Sequence, residues 1–407
     1  MRYFKSPLML VAAVAGLLLS GCLKDTETRT YTIYEPVYST SAEVRANIKS
    51  SAPKNIERPG KIYVYKNYLF VNEINKGIHV IENYDKNSAQ KIAYLPVPGN
   101  VDMAVVNNVL YADSYTDLMA IDISDIHNIK LSNHLSNMFP DRYYVQGKQA
   151  DDIIVDWKKR DTTVNGENYA LWRAGQIIFD AFFNTANSTG GSKTGTGGSM
   201  ARFTAIKNTL YTVTNNRLNV INVSQPLTPK FSNNVGLGFG IETIYPFKDK
   251  LFIGSNTGML IYDVSSPSAP AKLGEFQHAR VCDPVIANDS LAYVTLRNGS
   301  QCAGFINELN VVNVTDPTNS KLVSKYDMTN PHGLSQDGKW LFVCDGKDGL
   351  KVLDVSNSQK ISTFKKIDIP DAFDVICYGK TAIVSATSGT YIYNYEDINN
   401  IKFVNKF

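Results

Sequence analysis

The run Leu251-Phe-Ile-Gly254, then Asn256-Thr-Gly258, then Met259-Leu-Ile-Tyr-Asp263 and Ser265-Ser-Pro267, decides the fold. Two short apolar runs flank a turn of Asn and Gly. This is β-hairpin chemistry, because those residues accept the left-handed backbone that other side chains resist. A serine–proline turn then ends the unit.

The pattern recurs along the chain. Gly77-Ile-His-Val-Ile-Glu82, Asp117-Leu-Met-Ala-Ile-Asp122, Arg217-Leu-Asn-Val-Ile-Asn222 and Gly258-Met-Leu-Ile-Tyr-Asp263 share it. So do Glu308-Leu-Asn-Val-Val-Asn313, Gly349-Leu-Lys-Val-Leu-Asp354 and Gly389-Thr-Tyr-Ile-Tyr-Asn394. Their starts lie 40, 100, 41, 50, 41 and 40 residues apart, so one unit carries ten extra residues and one gap carries sixty. An apolar partner strand precedes each by about ten residues, as in Tyr68-Leu-Phe-Val71 and Trp340-Leu-Phe-Val343. A period near 40 with two to four strands per unit describes propeller blades, whereas a row of sandwiches would repeat near 100. The expectation is an all-β chain with a single seven-bladed β-propeller over residues 59–407 and a long inter-blade insertion at 140–200.

The Val-Ile-Asp-like strands followed by Ser/Asp-Pro resemble the LVIVD repeat. With Pro59-Gly-Lys-Ile-Tyr-Val-Tyr65, Gly99-Asn-Val-Asp-Met-Ala104, Gly240-Ile-Glu-Thr-Ile244 and Cys282-Asp-Pro284, the chain resembles LVIVD-repeat lipoproteins of Bacteroidota over roughly residues 31–407. The resemblance implies a propeller on the outer membrane and brings no assigned activity with it.

The N-terminus agrees. Arg2 and Lys5 precede an apolar run, Leu8 to Leu19, too short to span a bilayer. Leu19-Ser20-Gly21-Cys22 resembles the lipobox of bacterial lipoprotein signals. Residues 1–21 are therefore expected to be removed and Cys22 to be lipidated, palmitate included, which anchors the chain effectively permanently. Leu23 after the cysteine favours the outer membrane by the same resemblance, facing either the periplasm or the cell surface. Residues 22–58 are polar and are expected to be a tether, with a short helix from Ser41 to Lys49 and a strand at 30–38 that can close the ring. The last strand, Lys402-Phe-Val-Asn405, serves equally for closure. Fully extended, this tether reaches on the order of 100 Å.

The formal charge is +3, and losing Arg2 and Lys5 brings it near neutrality. Without a basic stripe, nucleic acid is not an expected partner. No His-Glu-x-x-His, Cys-x-x-Cys, phosphate-cradling loop or nucleophile elbow occurs, so no catalytic residue, metal site or cofactor is assigned. Gly346-Lys-Asp-Gly349 aligns with Asn256-Thr-Gly258 and reads as a hairpin turn rather than a calcium loop.

Strand alternation turns spacing into geometry. The start of each first strand, the second-to-third-strand hairpin and the connector between blades must share one face. Aligning the units places Lys61, Asp102, Arg202, Glu242, Asp283, His332 and Asp374 around the channel mouth on that face. These ionisable groups are either wet pore-mouth residues or a ring that meets a ligand. The insertion, with Trp157, Lys158 to Arg160, Trp172 and a Gly/Ser stretch, emerges on the same face as a lid, a recognition element or a decorative loop. Cys282 and Cys302 fall on that face in the lengthened unit, and an exported protein meets oxidants, so a disulfide is expected between them. Cys344 and Cys377 read as buried thiols. The expected function is a lipid-anchored binding module for an outer-membrane partner protein or a glycan. The alternative is a glycan lyase or hydrolase using paired carboxylates such as Glu242 and Asp283.

Overall fold

In the computed structural model, the residues described are 28–142, 152–165, 196–278, 284–298 and 306–407. Cys22, Cys282, Cys302 and Asp283 lie outside them. The chain divides into two compact units, Met1–Glu35 with Trp157–Phe183, and Pro36–Asp156 with Asn184–Phe407.

The second unit is the propeller. Seven antiparallel sheets each contain four consecutive strands in sequence order. The first strands are Pro59–Tyr65, Met103–Val106, Phe203–Ile206, Ile241–Phe247, Val285–Ala287, Leu334–Asp337 and Ala372–Tyr378. Each packs on the first strand of the next blade, and the seventh packs back on the first, which closes a ring about a central channel. The repeat pattern thus becomes seven blades.

Burial explains why the second and third strands are apolar throughout. Each blade is covered on both faces by its neighbours, so Tyr68–Glu73 and Gly77–Glu82 are buried along nearly their whole length. Outer strands such as Lys230–Gly236 face solvent and carry polar residues. The acid or amide that ends each patterned strand has a local job. Asp122, Asn222, Asp263, Asn313, Asp354 and Asn394 each accept a hydrogen bond, at 2.6–3.0 Å, from the backbone N–H two residues on. This Asx turn aims the chain into the Ser-x-Pro segment. That segment in turn clips blades together: Tyr111 donates its hydroxyl to the Pro226 carbonyl at 2.6 Å, and Tyr211 to that of Pro267 at 2.7 Å.

The expected tether is structured from Thr28 onward. Strand Thr28–Thr40 pairs with Asp152–Asn165 in a two-stranded ribbon rather than with a blade. Within the first unit, Thr30 meets Thr163, Thr32 donates to Asp161, and Arg160 pairs with Glu35 at 2.6 Å. Residues 30–38 therefore do not close the ring, and Lys402–Lys406 supplies the last blade's outer strand. The physical reason is supply: the C-terminal units already provide four strands. Helix Ser41–Asn47 follows, opened by a capping box of Thr40 and Glu43. Ile48 is then buried in the core of the first blades, and Ser51 bridges Tyr94 on an outer strand.

Closure between the last and first blades rests on packing. Ile62, Val64 and Val71 meet Ile376, Ile383 and Ile392 in one apolar cluster, and Ser385 donates to the Gly60 carbonyl at 3.0 Å.

Candidate ligand site at the channel mouth

The insertion returns to the propeller through the channel itself. Strand Thr196–Gly197 pairs with the inner strand of the first blade, Thr196 opposite Val64 and Gly197 opposite Tyr63. Being added to the innermost strand, it lies inside the ring. Gly198 then packs on Asp374 of the seventh blade. Ser199 Oγ accepts from Leu334 N of the sixth at 2.7 Å, and Ala201 O accepts from Ile244 N of the fourth at 2.5 Å. Residues 196–201 thus cross the channel from one side to the other. Sequence topology put the insertion on this face; it did not foresee that its end enters the channel.

This crossing divides the expected ring. Lys61, Asp102 and Asp374 form a buried arc, exposed by only 4, 3 and 1 %. Lys61 Nζ donates to Asp102 Oδ2 at 2.8 Å, and the same oxygen accepts from Arg202 N at 2.7 Å. β-Bulges at Pro59/Ile62 and Ala372/Asp374 re-aim the inner strands here. Burial pulls the Lys61 ammonium down to about 8, opposed by the Asp102 charge. Burial lifts the Asp374 carboxyl to about 7, only partly offset by the Val375 N–H and Lys61. Asp374 Oδ1 accepts that N–H at 3.0 Å, and its buried Oδ2 has no hydrogen-bond partner. Such an oxygen is costly as a carboxylate and cheap as an acid.

Arg202, Glu242 and His332 form a half-buried arc. The backbone N–H of Arg202 is used by Asp102, while its buried Nε has no hydrogen-bond partner. Glu242 sits on a bulge between Ile241 and Thr243; burial weakens the Arg202 cation, and the Glu242 charge opposes that. His332 is pushed down to about 3 by burial and by Arg297, so its imidazole is neutral, with Nε2 3.2 Å from Asn330 Nδ2. Asp283, the expected carboxylate partner of Glu242, lies outside the described residues. Cys344 and Cys377 are free thiols, as expected, and burial pushes Cys377 up to about 12.

Sequence reasoning missed a second set of charges. An acid at the end of the second strand caps the incoming connector in three blades. Glu73 accepts from Glu57 N and Arg58 N, Asp113 from Val101 N and Asp102 N, and Asp345 from Thr329 N and Asn330 N. Each has a basic partner: His79 Nε2 at 3.0 Å, Arg142, and Lys351 Nζ at 2.5 Å. His79 and Lys351 occupy the same position of the repeat. The available signal was that a basic residue stands there only where an acid ends the preceding strand.

The LVIVD repeat matches residues 250–277 and 332–362, which are most of the fourth and sixth blades. No curated protein sequence matches. Among solved structures, the chain is similar to the computationally designed Ika8 protein, at 7 % identity and a TM-score of 0.54, covering 88 % of this chain and 89 % of that one. It is similar to BamB from Moraxella catarrhalis at 6 % identity and a TM-score of 0.51, covering 88 % and 99 %. It is also similar to PorZ, described as a surface component of the type-IX secretion system of Porphyromonas gingivalis. There the identity is 11 % and the TM-score 0.50, and 88 % of this chain matches 39 % of that one. Identities this low establish the fold alone. Among the described residues, no helix is long and apolar enough to cross a membrane. The chain is a seven-bladed β-propeller with LVIVD repeats in its fourth and sixth blades.

Proposed function

We propose that this is an outer-membrane lipoprotein, anchored through Cys22, whose connector-bearing face binds an envelope partner, a protein or a glycan. The observation that carries the reading is the divided ring. One arc is closed off internally beneath residues 196–201, whereas Arg202, Glu242 and His332 are half-buried, with the Glu242 charge favouring the Arg202 cation. The opposite face offers only short turns, such as Lys207-Asn208, whose charge is taken up by Asp249 at 3.0 Å. Anchoring is supported by the lipobox and by the short interval between Cys22 and the first paired strand at Thr28, at most about 20 Å of chain.

Two experiments test the reading. A clickable fatty acid should label the wild type and not Cys22→Ala. Partner capture from outer membranes should fail when residues 145–195 are deleted or when Glu242, Asp283 and His332 are all alanine, and survive Lys207→Glu. Capture lost only on Lys207→Glu sinks the face assignment.

A further inference from the structure

We infer that a groove on the fourth blade, on the side that borders the third, is a seat for a neutral oligosaccharide, an assignment that rests on the binding face proposed above and names its ligand class. The connector between these blades is Gly236-Leu-Gly-Phe-Gly240. Leu237 is buried, while Phe239 is 79 % exposed and is the most exposed large apolar side chain among the described residues. Gly238 and Gly240 hold positive φ angles of 88° and 77°, and a side chain on Gly240 would collide with Asn256. The loop therefore presents the Phe239 ring outward while Asn256 N donates to the Gly240 carbonyl at 2.8 Å.

The next residue, Thr257, lines a cavity of about 270 Å³ together with Leu260, Glu275, Gln277 and His278. Leu260 packs on the core shared by the third and fourth blades, which places the cavity on the side the connector crosses. Its chemistry is polar with internally balanced charge. Glu275 is paired with Lys272 at 2.6 Å and accepts from Gln277 Nε2 at 2.7 Å. Hydroxyl, amide, carboxylate and imidazole groups there supply both donors and acceptors, as sugar hydroxyls require. The volume accommodates a single hexose unit, and an exposed aromatic ring beside it offers the C–H face of the next unit a stacking surface. An anion would meet the Glu275 carboxylate in the lining, so a neutral chain fits better than a uronate.

The test titrates the soluble mature protein, residues 23–407, with maltohexaose, xylohexaose and an N-acetylglucosamine tetramer, with polygalacturonate as the acidic control. Saturation-transfer NMR and calorimetry supply the readout. At least one neutral oligomer should bind, Phe239→Ala should weaken it at least tenfold, and Thr257→Arg should abolish it by filling the cavity. Lys207→Glu should leave it unchanged, and melting curves should show every variant folded. Absence of binding by all three neutral oligomers, or binding indifferent to Phe239→Ala and Thr257→Arg, overturns the inference. Partner-protein capture that persists without sugar binding overturns it too, while leaving the broader binding role intact.

Discussion

Gly198, on the returning end of the insertion, stands against the Asp374 carboxylate of the seventh blade so closely that a Cβ would overlap both oxygens. This contact ties residues 176 positions apart and fixes the channel crossing.

Gly198→Ala should therefore destabilise the propeller by about 1–3 kcal/mol, the range for overpacking a filled site. Gly236→Ala is the control, because a Cβ there meets nothing within 4 Å. Chemical denaturation checks both, and equal midpoints for the two variants would remove the channel crossing as a stabilising contact.

Asp374 gives the propeller a pH signature. Its folded value, about 7, lies above the ordinary 3.8, so the folded state holds this proton more tightly than the unfolded chain does. Stability from this group is present in full below pH 4 and is lost as pH rises from about 4 through 7. Asp374→Asn keeps the shape and the Val375 hydrogen bond without the charge. It should match the wild type near pH 4 and exceed it at pH 8 by roughly 2–4 kcal/mol. A pH-independent difference in denaturation midpoint refutes the assignment.

The tyrosine clips predict a small, additive cost. Tyr111→Phe and Tyr211→Phe each remove a hydroxyl donor to a proline carbonyl of the next blade. Each should lose about 0.5–1.5 kcal/mol, and the double variant their sum, since each hydroxyl has its own acceptor. Thermal unfolding of the three proteins measures it; strong non-additivity contradicts independent clips.

We propose that Cys282 and Cys302 form a disulfide. Mass analysis of periplasmically produced protein, alkylated without reductant, should find both unmodified. Reduction should cost about 2–4 kcal/mol in the chain-entropy account. Alkylation at both cysteines in the unreduced protein refutes the bridge.

The local parts of this fold were legible because their causes are local. The 40-residue period, the Asn-Gly hairpins and the terminal Asp or Asn of each patterned strand are set by backbone preferences over a few residues. From these, seven blades follow, and strand alternation brings Lys61, Asp102 and Arg202 together, as the two hydrogen bonds to Asp102 show. The free thiols Cys344 and Cys377 were likewise readable from their strands, although only Cys344 is buried and Cys377 is half-buried. What only tertiary structure decided was which of those charges is spent. Lys61 finds Asp102 across 41 residues, and Thr196–Gly197 finds Tyr63 and Val64 across more than 130. No periodicity announces such pairings, because they depend on where a sixty-residue insertion re-enters the ring. Thr28–Thr40 shows the same limit: its alternation announced a strand, but its partner Asp152–Asn165 lies more than a hundred residues away. A strand's existence is a property of its own residues, whereas its neighbour is settled by the competition among every open edge in the folded chain.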